Sequence, residues 1–112
     1  VAISKTRKNK QNALTISTDT YNEVYERDNG SCILCMEYGV HEKMFETSVI
    51  PPLEMHHYIT RARLGMGIPK NLVMLCKYHH LEETKHREKI KKYLKNKYED
   101  WNEEQLKFRK YE

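Results

Sequence analysis

Two short cysteine motifs constrain this chain more than any other feature. Cys32-x2-Cys35 is followed, after 40 intervening residues, by Cys76-x2-His79. Such paired donors are the ligand set of tetrahedral zinc, and four protein ligands close the sphere of a structural site. His80, at Cys76-x3 spacing, is an alternative fourth ligand, and His41 is a further candidate. Three cysteines leave one unpaired in any all-disulfide scheme, and no strand-helix-strand context supports a redox pair. Zinc also answers a compositional difficulty. The 112 residues are only 38% hydrophobic and 32% charged, so the core is thin and a chain this short needs a staple. Reduced thiolates on zinc imply an intracellular, cytoplasmic setting. Residues 1–11 are basic and polar, without the apolar stretch of a signal peptide. No apolar run is long enough to span a membrane, so no membrane partner is expected.

Charge is unevenly placed. The net charge is +4, but residues 1–10 carry +4 alone and residues 85–97 carry +6, leaving −6 elsewhere. Two basic blocks on an acidic remainder suggest a polyanionic partner. The competing reading is a solvated helix face and a flexible arm.

The pattern predicts one domain over 17–112, with a core at about 21–98, preceded by a basic flexible arm over 1–16. Thr20-x2-Glu23 has the form of a capping box. It opens a helix expected over 19–28, which Asn29-Gly30 ends. Residues 36–52 read as irregular. Strands are expected over 53–59 and 72–76, joined by a loop over 61–70 that contains Gly65, Gly67 and Pro69. From about 78 to 98, Ile90, Tyr93, Leu94 and Tyr98 recur at helical spacing, which predicts one long helix with lysines on its outer face. Asn102-x2-Gln105 has the form of a cap for a last short helix. The class is α+β, with the two strands as an antiparallel ribbon packed on the long helix.

Within that order, His56-His57 lies in the first strand, Asn71 ends the loop, and His79-His80 opens the long helix. The run Glu54-Met55-His56-His57-Tyr58-Ile59, followed by Asn71-Leu72-Val73-Met74-Leu75-Cys76-Lys77-Tyr78-His79-His80, resembles the HNH endonuclease family. Tyr25-Glu26-Arg27-Asp28 ahead of the first knuckle is similar to its zinc-containing branch, common in phage and bacterial genomes. The resemblance covers about 21–90. His57 stands 14 positions before Asn71 and 23 before His80, as in the family's small ββα-metal (His-Me finger) core.

The resemblance implies roles. His57 would be the general base that activates water against a DNA phosphodiester. Asn71 would fix the loop and position that base. His56 and His80 would hold a catalytic divalent metal, Mg²⁺ or Mn²⁺. The family's second knuckle is followed at once by a histidine, so His79 falls to the structural zinc. Two imidazoles without a carboxylate are soft for Mg²⁺ and suit Mn²⁺ or Ni²⁺ better. Neighbours on a flat strand point to opposite faces, so His56 and His57 should diverge. Arg61, Arg63, Lys70 and Lys85 are candidate nucleic-acid contacts, and the lysines of 89–97 could track a duplex backbone. Duplex DNA is the implied partner. The phage packaging machinery is an implied setting, and a homodimer would allow two nicks on opposite strands. The alternative function is a zinc-stabilised nucleic-acid-binding module without catalysis. A zinc-scaffold interaction protein ranks third, since it gives no reason for the paired histidines.

Overall fold

The computed structural model describes residues 10 and 12–109. Helix α1 spans Thr18–Arg27 and helix α2 spans Ile33–Tyr38. A 3-10 turn follows at Glu42–Glu46, inside the stretch expected to be irregular. Strands β1 (Glu54–His57) and β2 (Leu72–Leu75) form a two-stranded antiparallel sheet. Helix α3 (Lys77–Leu81), helix α4 (Arg87–Lys97) and a 3-10 turn at Glu103–Leu106 complete the order. The class is therefore α+β. Among the described residues no helix is long and apolar enough to cross a membrane.

Capping chemistry sets several of these boundaries. The Ser17 hydroxyl, not Thr20, caps α1 by accepting from the Thr20 amide at 3.1 Å. Asn29 and Gly30 then take left-handed backbone (φ 57° and 59°), and the Gly30 amide closes onto the Tyr25 carbonyl at 2.8 Å. The two cysteine motifs are local copies of one device. Cys32 Sγ accepts from the Cys35 amide and Cys76 Sγ accepts from the His79 amide, both at 3.4 Å. Each sulfur thereby caps a helix of six or five residues. Asn102 and Gln105 make the expected reciprocal cap, although the element is a 3-10 turn.

The expected long helix is not one element. The helix read over 78–98 is two helices, separated at 82–86. There the amides of Glu82, Glu83, Lys85 and His86 bond to carbonyls three residues back, at 3.0–3.2 Å. Side-chain contacts accompany that tighter winding. The His86 ring packs edge-on against His79, and the carboxylate of Glu82 is held by His41.

The sheet divides the core. Register pairs Glu54 with Leu75, Met55 with Met74, His56 with Val73 and His57 with Leu72. Directly opposed residues share a face. Val73 and Leu75 pack into the main core with Leu34, Tyr58, Ile90 and Leu94. Leu72 and Met74 pack with Val24 of α1 on the other face. The Arg27 guanidinium donates to the carbonyls of Pro69 (2.7 Å) and Leu72 (2.5 Å), and to Asp28. Asp28 in turn accepts from the Met74 amide (2.9 Å) and the Tyr93 hydroxyl (2.5 Å). One ion pair thus joins α1, β2 and α4.

Asn71 is fully buried and acts as a piece of backbone. Its Oδ1 accepts from the Ile59 amide at 2.7 Å, and its Nδ2 donates to the carbonyls of Ile59 (3.0 Å) and Met66 (2.8 Å). The loop it holds also pairs with the C-terminal segment, through Met66 to Leu106 and Phe108 to Leu64, each 2.8 Å. Of the basic arm expected over 1–16, residues 1–9 and 11 lie outside the described residues. Leu14 is buried, and the Ala13 carbonyl accepts from the Gly67 amide at 2.8 Å. The inner end of that arm is therefore docked against the loop.

Candidate metal centres

The first centre joins the two capped turns. His79 Nδ1 lies 3.4 Å from each of Cys32, Cys35 and Cys76 Sγ, and the sulfurs of Cys35 and Cys76 are 3.9 Å apart. A zinc ion with Zn–S of about 2.3 Å and Zn–N of about 2.0 Å would space tetrahedral ligands by about 3.5–3.8 Å. The four side chains fit that geometry. Burial pushes the Cys35 thiol up to about 12, the Cys76 thiol up, and the His79 imidazole down to about 4. A neutral imidazole is the form that ligates, and a cation at the centre would offset the cost of holding thiolates there. The cluster could hold a structural metal such as zinc.

The two alternatives at this centre resolve. His80 faces a different cluster. His41 stands behind His79, with ring centroids 5.1 Å apart, and its Nε2 is bonded to Glu82 Oε1 at 2.5 Å. His41 is thus a neighbour of a ligand and is not among the four.

The second centre contains His56, His80 and Glu83, whose ligating atoms all lie within 4.8 Å of one another. His56 comes from β1. α3 follows β2 directly and so carries His80 alongside. The tight turn after α3 folds Glu83 back onto both. Glu83 Oε2 is 2.9 Å from His56 Nδ1 and 3.4 Å from His80 Nε2. His80 Nδ1 donates to Glu54 Oε1 at 2.8 Å, which directs His80 Nε2 toward the cluster. His56 is 6% exposed. Burial, then the neighbouring His80, His57 and Arg87, push its pKa down to about 4. A cleft of about 270 Å³ opens beside the cluster, and its walls include His56, Thr60, Arg63, Glu83 and Arg87.

Glu83 and Glu54 are among the residues that sequence reasoning missed, as is Arg87 in the wall of the cleft. The two glutamates correct the expectation of imidazoles without a carboxylate. Both carried a signal: Glu83 is at i+3 from His80, a spacing that shares a helix face, and Glu54 is at i−2 from His56 on the strand.

His57 does not join this cluster. The strand alternation sends it to the face of β1 opposite His56, where its Nε2 donates to the Leu14 carbonyl at 3.3 Å. Burial pushes its pKa down, the Leu14 bond opposes this, and Arg61 adds to it. Among the expected nucleic-acid contacts, Arg61 and Arg63 are exposed on a short 3-10 turn. Lys70 is engaged by Asp100 (3.0 and 2.9 Å), and Lys85 sits 3.7 Å from Glu82. Comparison with family models, with curated proteins and with solved structures gave no match.

Proposed function

We propose that this chain is a metal-dependent endonuclease of the HNH type that hydrolyses DNA phosphodiester bonds. In this reading β1, the Asn71-held loop, β2 and α3 form a ββα-metal core. The observation that carries it is the His56–His80–Glu83 cluster beside an arginine-lined cleft. A structural zinc needs no such second donor set, and neither does a simple binding module.

The side chains have separable tasks. The Leu14 carbonyl can only accept, so it keeps the proton of His57 on Nε2 and leaves the Nδ1 lone pair free; this reading requires that lone pair to reach a water from the side of the phosphate opposite the cluster. Burial keeps that imidazole neutral at pH 7. Glu54 does the equivalent for His80 by accepting a hydrogen bond from its Nδ1–H, a common second support for a ligating histidine. Glu83 adds an oxygen donor to two nitrogens. Arg87 is fixed in the cleft by donating to the Tyr58 carbonyl at 2.9 Å, with its guanidinium 4.2 Å from the Tyr58 ring centre. Arg63 is exposed at the same cleft. Together they offer fixed positive charge to a phosphate. A divalent cation held by His56, His80 and Glu83 would stabilise charge on the phosphoryl and leaving 3′ oxygens. The cytoplasm of a bacterial or phage-infected cell, a link to packaging and a homodimer belong to this reading through the family resemblance alone.

Supercoiled plasmid is the test substrate, with zinc content checked in every protein first. Wild type should give relaxed or linear product. His57→Ala should lower the rate at least 10²-fold, on the order of a lost general base. Mn²⁺ should serve at least as well as Mg²⁺, since two imidazoles outweigh one carboxylate in ligand softness. No product from folded, zinc-loaded wild type in Mg²⁺, Mn²⁺ or Ni²⁺ would leave the non-catalytic binding module as the better reading.

A further inference from the structure

Of the basic residues expected to meet nucleic acid, Lys70 is engaged by Asp100. Among the lysines of 89–97, the structure separates one group from the rest. Helix α4 starts at Arg87, inside the cleft that holds His56 and Glu83. One to two turns on, Lys91, Lys92 and Lys95 line a second groove with Glu88 and Asn96. Positions 87, 91 and 95 follow one another at i+4, a rise of about 6 Å per step, so they form a row along one flank. Ile90 and Leu94, both fully buried, fix which side of α4 faces the core and keep that flank outward. Lys91 has Glu103 at 3.6 Å. Lys92 and Lys95 are exposed, and no carboxylate lies within 4.0 Å of either among the described residues.

We infer that Arg87, Lys91, Lys92 and Lys95 form a phosphate track that carries one strand of a nucleic-acid duplex away from the His56–His80–Glu83 cleft. The inference rests on the nuclease reading for the identity of the cleft. Charge complementarity selects the partner, since a duplex strand advances about 3.4 Å per nucleotide along its axis and the row therefore spans a few phosphates. The flank of α4 that carries Lys89 and Lys97 provides an internal control, and Lys92 borders its groove as well as that of Lys91 and Lys95. The Lys89 ammonium lies over the Tyr38 ring (4.5 Å) and the Lys97 ammonium over the Tyr93 ring (5.3 Å). That flank carries lysines of the same helix that the track does not use.

The experiment is duplex binding by the zinc-loaded full chain, with no divalent cation added, titrated across salt concentration. Three proteins are compared: wild type, Lys92→Gln/Lys95→Gln and Lys89→Gln/Lys97→Gln. Each double variant removes two exposed charges from one helix. The track pair should flatten the plot of log affinity against log salt by about 1.8, which is two phosphate contacts. The control pair should leave the slope near the wild-type value. Equal flattening by both pairs, no flattening by the track pair, or no duplex binding at all overturns the track. So does tighter binding to phosphatidylserine vesicles than to duplex, since the row would then serve a lipid surface. Plasmid cleavage by wild type without a track-specific slope removes the track and leaves the nuclease. A track-specific slope without cleavage does the reverse.

Discussion

Asp28 ends α1 with 1% of its surface exposed and both carboxylate oxygens engaged. Burying a charge pair gains little by itself, but breaking one leaves an uncompensated ion in the core. Asp28→Ala would strand the Arg27 guanidinium, the Met74 amide and the Tyr93 hydroxyl together. The expected loss is about 3–5 kcal/mol, read as a lower urea midpoint at unchanged slope. A loss under about 1 kcal/mol, the scale of one ordinary hydrogen bond, would show that the network is not what joins α1 to β2 and α4. In the sequence Arg27-Asp28 is only a charged pair at a helix end. Its partners stand 46 and 65 positions away, and no local pattern encodes them. His56 and His80 were legible because their residue types are rare and their spacing is fixed. Glu83 and Glu54 were not, because glutamates are common on any charged chain and only contact with the histidines of the cluster, two for Glu83 and one for Glu54, distinguishes these.

At the scale of elements, the loop between the strands is built around two positions. Asn71 closes it with three hydrogen bonds, and Gly65 lets the backbone pass. A Cβ on Gly65 would lie 1.7 Å from the Ile59 carbonyl oxygen and 2.9 Å from Asn71 Nδ2. Neither neighbour is a flexible side-chain end, so the backbone would have to move. Gly65→Ala should therefore cost about 1–3 kcal/mol or more, measured by thermal or urea unfolding. A wild-type midpoint would show that the loop has slack that its hydrogen bonds do not suggest. The strands and the helix starting near residue 18 were legible because a short apolar run, helical spacing and terminator residues are local signals. The break at 82–86 was not. Apolar periodicity resumes in register after it, and the contacts made there, His41 with Glu82 across 41 positions and His79 with His86, have no local apolar signature. The divergence of His56 and His57 followed from strand alternation alone. The docking of Leu14 that gives His57 its partner did not.

At the scale of the whole molecule, a metal centre would join short elements that are weak on their own. The sheet is two strands of four residues, a size that is marginal alone. α2 and α3 are six and five residues long, far below the length at which an isolated helix persists. The Cys32–Cys35 turn and the Cys76–His79 turn meet across 41 positions. Treated as a cross-link, that closure would be worth about 4 kcal/mol, comparable with much of a small domain's net stability. Zinc removal should therefore unfold the chain. Chelation, with loss of metal verified, should abolish the helical circular dichroism, and added zinc should restore it. Cys35→Ser should bind less than one equivalent of zinc and melt at lower temperature. His80→Ala should keep both zinc and fold, because His80 serves the other cluster. Unchanged circular dichroism in the verified apo chain would mean that the thin core suffices. Loss of zinc from His80→Ala would mean that the two clusters are not independent.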